Sequence, residues 1–172
     1  MDQGVGALSK SLPPLLLDGI EVTRVSFQCP DQAPSGPPRG CAVLDQYRVR
    51  VDFDVVTLNQ ERTRVRVPLA LRFTAIAGKG APFESVHIDM AGEFSATDPE
   101  EPESFRRLVP LNCLAILHGA ARGLLLAATA SCPAGPFVLP TVNFVAEVER
   151  KLRRIKRAEA RKTAADEDAR DA

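Results

Sequence analysis

Apolar and polar residues alternate strictly from Tyr47 to Val55: Tyr47, Val49, Val51, Phe53 and Val55 fall on one side, and Arg48, Arg50, Asp52 and Asp54 on the other. Successive side chains of an extended chain point to opposite faces, so this spacing predicts a strand with one buried and one charged face. The stretch from Thr63 to Ala75 repeats the theme, with Val65, Val67, Leu69, Leu71 and Phe73 set against Arg64, Arg66 and Arg72, and Arg62 just before. Phe83 to Ala96 does so again, with Val86, Ile88 and Met90 opposite Ser85, His87 and Asp89. Asn59-Gln60-Glu61 and Gly78-Lys79-Gly80 predict the intervening turns. A further extended piece, Ile20 to Cys29, precedes them. Strands joined in sequence by short turns predict an antiparallel meander with one face to be covered.

The cover is predicted downstream. Leu111 to Ser131 is rich in Leu and Ala and carries one charge, Arg122, which reads as a mostly buried helix with Pro110 in its first turn. Cys132-Pro133-Ala134-Gly135-Pro136 breaks it. A second helix starts at Asn143, a good N-cap, and runs to about Lys162, with Val145, Val148, Leu152 and Ile155 at the three-four spacing of one face. Around these elements lie an expected flexible leader (1–18), an irregular loop (Pro30 to Gly40), an acidic linker (Asp98 to Glu103) and a charged, disordered tail (163–172). The fold class is therefore α+β: a four-stranded antiparallel sheet packed by two C-terminal helices, in one domain over 19–162.

Composition narrows the function classes. The chain has 172 residues, 45% apolar and 26% charged, with zero formal net charge, so there is no global pull toward nucleic acid or an anionic membrane. Leu111 to Ser131 has the length of a membrane span, but Arg122 near its centre is costly in lipid, and Asn112, His118, Gly119 and Gly123 lower its hydrophobicity. The reading is a buried helix without membrane insertion. One sheet covers only one side of so uncharged a helix, which points to a homo-oligomer. Arg150, Lys151, Arg153, Arg154, Lys156, Arg157, Arg161 and Lys162 make the last helix basic; Glu147, Glu149, Glu159 and the tail balance them, so a solvated face is expected and nucleic acid is not. The four cysteines form no C-x-x-C and only His87 and His118 could join them, so no metal site is expected. Asp52 and Asp54 share a strand face without a pocket, and there is no nucleophile elbow or phosphate-binding glycine loop. Neither an enzyme nor a cofactor or ATP dependence is expected. Leu15-Leu16-Leu17 after Pro13-Pro14 is too short for a secretory signal, so the expectation is a cytoplasmic protein with reduced thiols.

Several stretches, taken in order, resemble the bacterial SecB export chaperones. Gly19-Ile20-Glu21-Val22-Thr23-Arg24-Val25-Ser26-Phe27-Gln28-Cys29-Pro30 looks like the family's first strand, and Val49-Arg50-Val51-Asp52-Phe53-Asp54 is similar to its second. Met90-Ala91-Gly92-Glu93-Phe94, Ala115-Ile116-Leu117-His118-Gly119-Ala120-Ala121-Arg122 and Leu139-Pro140-Thr141-Val142-Asn143-Phe144 resemble its later motifs, so the likeness runs over roughly 19–155. The resemblance implies an ATP-independent holdase for unfolded or precursor polypeptides, assembled as a homotetramer, a dimer of dimers. It also implies that Val49, Val51 and Phe53 contact unfolded clients; by alternation alone they are ordinary sheet core. The family docks on the SecA motor through acids on the sheet. Here Arg24 and Gln28 stand where the first strand has acids, and Ser85 and His87 where the fourth has Leu and Glu, so docking in the family's manner is expected to be lost. Two alternatives stand beside the holdase: an adaptor dedicated to one partner, such as an antitoxin, outside export, and a basic nucleic-acid-associated protein.

Overall fold

The computed structural model describes residues 15–29, 44–59, 63–96 and 102–168. Five strands appear: β1 Leu15–Gln28, β2 Tyr47–Phe53, β3 Val56–Thr57, β4 Arg64–Ala75 and β5 Ser85–Ala96. Two helices follow, α1 Pro102–Thr129 and α2 Phe144–Asp168. The α+β class, an antiparallel sheet with two helices after it, is as the sequence predicts. The loop expected over 30–40 and most of the acidic linker lie outside the described residues.

The strand order is β1-β5-β4-β2, with β3 paired to β4 beyond the end of β2. The chain from β2 onward is the expected meander, but β1 closes on β5, the last strand, which makes the order a Greek key. β1 begins at Leu15, inside the stretch read as leader. The strand expected over 47–55 is interrupted at Asp54 and Val55, and the cause is Pro68 in the middle of β4. Asp54 N–H donates to the Pro68 carbonyl at 3.2 Å. In an antiparallel ladder the return bond would come from the N–H of residue 68, which proline lacks. Pairing resumes only at Val56, opposite Arg66.

The core forms where two alternating strands lie side by side. Val65, Val67, Leu69, Leu71 and Phe73 of β4 are buried, as are Val86, Ile88, Met90 and Phe94 of β5. α1 covers this face with Cys113, Leu114, Leu117, Ala121 and Leu125. It lies close because β5 carries Gly92 beneath it: a Cβ there would come within 2.8 Å of Leu117 Cδ2 and 2.6 Å of the Phe94 ring. The glycine of the Met90–Phe94 motif therefore has a packing reason.

α1 starts at Pro102, nine residues before the expected Leu111, and Pro110 lies inside it. The preference of proline for a first turn is satisfied by Pro102 instead. After α1 the chain turns back on itself. The Thr129 hydroxyl donates to the Leu125 carbonyl and accepts from Phe137 N–H, both at 2.7 Å. Gly135, at φ 81°, donates its N–H to the Cys132 carbonyl at 2.8 Å. This delivers Phe137 into a ring cluster with Tyr47, Phe73 and Phe83, at centroid distances of 5.4–5.8 Å.

The chain divides into two compact units, Met1–Thr141 and Val142–Ala172. In the second, Asn143 caps α2 as expected: its Oδ1 accepts from Ala146 N–H at 3.2 Å. Arg150 pairs with Glu147 and Arg153 with Glu149 along the helix surface. α2 continues to Asp168, through residues read as disordered, because Ala164 and Ala165 are strong helix formers.

Candidate functional site

The face of the sheet that carries α1 is wider than the helix. α1 lies against β5 and β4 and only touches β1, so the two outer strands present their core-side residues at its margins. One margin is β2. Val49 pairs with Phe73, Val51 with Leu71 and Phe53 with Leu69, so all three predicted client residues are on the core side. Val49 and Val51 are half-buried, and Phe53 is buried.

The other margin is β1, whose apolar residues sequence reasoning assigned no client-binding role. Cross-strand partners share a face, and Leu17, Ile20, Val22, Val25 and Phe27 stand opposite Phe94, Gly92, Met90, Ile88 and Val86. All five therefore point to the core side. Yet Leu17, Ile20, Val22 and Phe27 remain 42%, 39%, 43% and 37% exposed. The row is hidden in the sequence because it advances in steps of two and three. Register shifts between Leu17 and Gly19 and between Val22 and Arg24 each insert one residue and return the apolar side chains to the same face. Thr23, at the second shift, donates its hydroxyl to the Asp89 carbonyl at 3.0 Å. A mixed two-three spacing of aliphatics was the signal available.

Three strand spacings, roughly 14 Å, separate the two margins. Between them α1 turns Ile116 and Leu126 outward. The segment Val109–Thr129 is long and apolar enough to cross a membrane by length and composition, with one third of its most apolar window buried. The mostly buried helix expected from sequence is thus buried on one side only within a single chain.

The opposite face of the sheet is polar and basic. The structure brings Arg24, Gln28, Ser85 and His87 together at one end of it: Gln28 pairs with Ser85, Ser26 with His87 and Arg24 with Asp89. The row continues across the sheet, since His87 stands opposite Arg72 and Arg72 opposite Arg50. Towards the other end, Arg66 bonds Glu93 at 3.0 Å and also Glu21, while Arg64 lies 3.8 Å from Glu93. Among the described residues no carboxylate pairs with Arg50 or Arg72. Nor do they include a group of three His, Cys, Asp or Glu placed to hold a metal ion.

No protein-family model matches the chain, and no curated protein does. Among the solved structures similar to it are two at low identity. One is the Mycobacterium tuberculosis SecB-like chaperone Rv1957, in complex with a ChAD peptide from the Rv1956 HigA1 antitoxin: 13% identity, TM-score 0.45, over 75% of this chain and 91% of that one. The other is a protein of unknown function from Streptococcus agalactiae: 13% identity, TM-score 0.44, over 77% of this chain and all of that one. Likeness at this level assigns neither family nor activity.

His118, which falls in a resemblance motif, takes a structural role. It is buried on α1, and its Nε2–H donates to the Pro140 carbonyl at 3.0 Å, tying the helix to the returning segment. Burial, helped by the charge of Arg122, holds its pKa below the usual histidine value, against the opposing effect of that hydrogen bond. The sign follows by linkage. Above about pH 6.5 the imidazole is neutral folded and unfolded, so it contributes no pH dependence; below that, the unfolded chain takes a proton that the folded chain resists. Stability should therefore decline as pH falls from about 6.5 toward the depressed folded value. Urea denaturation at pH 7.5 and 5.5 checks this against His118→Gln, which keeps a donor but cannot titrate. Equal declines in both proteins would assign the effect to other groups.

Proposed function

We propose that this chain is an ATP-independent, cytoplasmic holdase that binds unfolded polypeptide along the apolar margins beside α1. The observation that carries the reading is the row Leu17, Ile20, Val22 and Phe27. It is aliphatic and aromatic, points to the covered side of the sheet, and is still more than a third exposed. β1 is also an edge strand. An extended client can add backbone hydrogen bonds to such an edge while its apolar side chains pack on the row. Burial of apolar surface contributes about 25 cal/mol per Å², with little demand on client sequence. Val49, Val51 and Phe53 form the second margin, and weak contacts at two margins of one client reinforce each other. The one-sided burial of α1 supports assembly as a homotetramer, a dimer of dimers, in which helices cover one another.

The basic outer face favours a role outside export. Arg24, Gln28 and His87 replace the acids on which docking to SecA depends in the family the sequence resembles, and Arg50 and Arg72 extend the positive row. On that face a second reading rests: an adaptor for one dedicated partner, such as an antitoxin. One experiment separates the two. Several unrelated, chemically unfolded clients are diluted into buffer with near-stoichiometric protein and no ATP. Light scattering follows aggregation, and multi-angle scattering gives the mass of the free protein. Suppression with all clients by an oligomer is the expected result. No suppression with any of them would overturn the general holdase, and a stable 18.6 kDa monomer would overturn the assembly.

A further inference from the structure

The outer face of the sheet carries a charge pattern that its own residues do not neutralise. Cross-strand register sets Arg50 of β2 directly opposite Arg72 of β4, and Arg72 opposite His87 of β5. In the next row on this face, Arg48 stands opposite Thr74, and Thr74 opposite Ser85. Side chains directly opposite in an antiparallel pair start about 4.5–5.5 Å apart at Cβ, and like charges set there destabilise the sheet. Arg48, Arg50 and Arg72 are exposed, and among the described residues no carboxylate pairs with any of them. The same face shows the alternative arrangement. Towards its other end Arg66 bonds both Glu93 and Glu21, and Arg64 lies 3.8 Å from Glu93. Arginine on this sheet is thus neutralised at one end and set against arginine at the other. A local cost that nothing nearby offsets is expected where a surface serves a partner.

We propose that this patch docks a short acidic segment of another polypeptide, whose carboxylates bridge the facing arginines. A carboxylate seated between Arg50 and Arg72 turns one repulsive pair into two charge-assisted hydrogen-bonded pairs, and the guanidinium fork matches carboxylate geometry. His87, Thr74 and Ser85 surround the arginines with further N–H and O–H donors and no carboxylate. Arg48 and Arg50, two residues apart on β2, start about 6.8 Å apart, the same repeat as alternate side chains of an extended segment. Acidic residues at alternate positions therefore meet successive arginines. The extent of the patch favours polypeptide over nucleic acid. Asp52 and Asp89, both opposite Ala70, form the next row on this face, so a longer phosphate chain would run onto carboxylates. Nor do the six residues of the patch include Phe, Tyr or Trp, on which bases could stack. The inference deepens the adaptor reading and rests on it in taking this face for the partner. It is independent of the holdase reading, whose margins lie on the other side of the sheet.

The test titrates the full chain into a fluorescein-labelled peptide of alternating Glu and Ser at low salt and reads anisotropy. A Gln-Ser peptide of the same length and single-stranded oligothymidylate are the comparisons. The Glu-Ser peptide should bind more tightly than either, and the binding should weaken as salt rises. Arg50→Gln combined with Arg72→Gln should weaken it at least about tenfold. Arg64→Gln, at an arginine already beside a carboxylate on the same face, should leave it within about twofold. Circular dichroism confirms that each variant is folded. Aggregation of unfolded clients, followed in parallel, decides between the adaptor and holdase readings, and the peptide result decides the inference, so each can fail alone. Absence of Glu-Ser binding, an equal loss in Arg64→Gln, or tighter binding of oligothymidylate would overturn the proposal.

Discussion

Ile20→Asp combined with Val22→Asp is expected to weaken the binding of unfolded polypeptide at least about 100-fold. Full burial of an Ile or Val side chain stabilises by about 1.5–3 kcal/mol, and about two-fifths of each is still exposed for a client to cover. To that loss is added the cost of desolvating a carboxylate against apolar side chains, which is several kcal/mol unless paired. A total near 3 kcal/mol corresponds to about two orders of magnitude in Kd. Leu16→Asp is the internal control. Leu16 lies on the same strand but pairs with Ser95 on the outer face, and it is 49% exposed. It adds negative charge to β1 without touching the apolar row. Anisotropy of a labelled unfolded peptide reads affinity, and circular dichroism confirms that each variant is folded. Equal binding by the double variant and the parent would remove β1 from the site; equal loss in Leu16→Asp would make the effect one of charge alone.

Phe137→Ala should cost about 3–5 kcal/mol of stability. The side chain is 1% exposed and meets three rings edge-on, Tyr47 of β2, Phe73 of β4 and Phe83 before β5. Its removal leaves a cavity that cannot collapse, because the neighbouring rings are held by their own strands. The Tyr47 hydroxyl accepts from Phe83 N–H at 3.2 Å and would have to keep that bond or leave a buried donor unsatisfied. Phe27→Ala, at a ring that contacts only Phe83 in this cluster and is 37% exposed, should cost clearly less. Urea denaturation monitored by far-ultraviolet dichroism measures both. A loss below about 1.5 kcal/mol for Phe137→Ala would mean that the returning segment is not part of the cooperative core.

What the sequence by itself determined is whatever repeats within one segment. β4 and β5 were legible because alternation at period two is a property of neighbouring residues. The turn at Gly78 and Gly80 was legible because both adopt positive φ, 78° and 66°, where a Cβ is penalised. The cap at Asn143 and the core side of Val49, Val51 and Phe53 followed from equally local chemistry. The interruption of β2 was also within reach, since Pro68 announces a missing donor. The tertiary structure alone decided the rest. Alternation says which side Val49 faces; how much of it stays open depends on where α1 lies, and that depends on Gly92 allowing Leu117 to approach. The apolar row of β1 is invisible to a period-two reading because two bulges shift its phase, and bulges are specified by the partner strand, β5. The pairing of β1 with β5 leaves no trace in either segment, since backbone hydrogen bonds are the same for every sequence and the choice of partner is made by packing. For the same reason the place of Phe137 among three rings could not be read from spacing: residues far apart in the chain become neighbours only through the sum of the contacts that the fold closes.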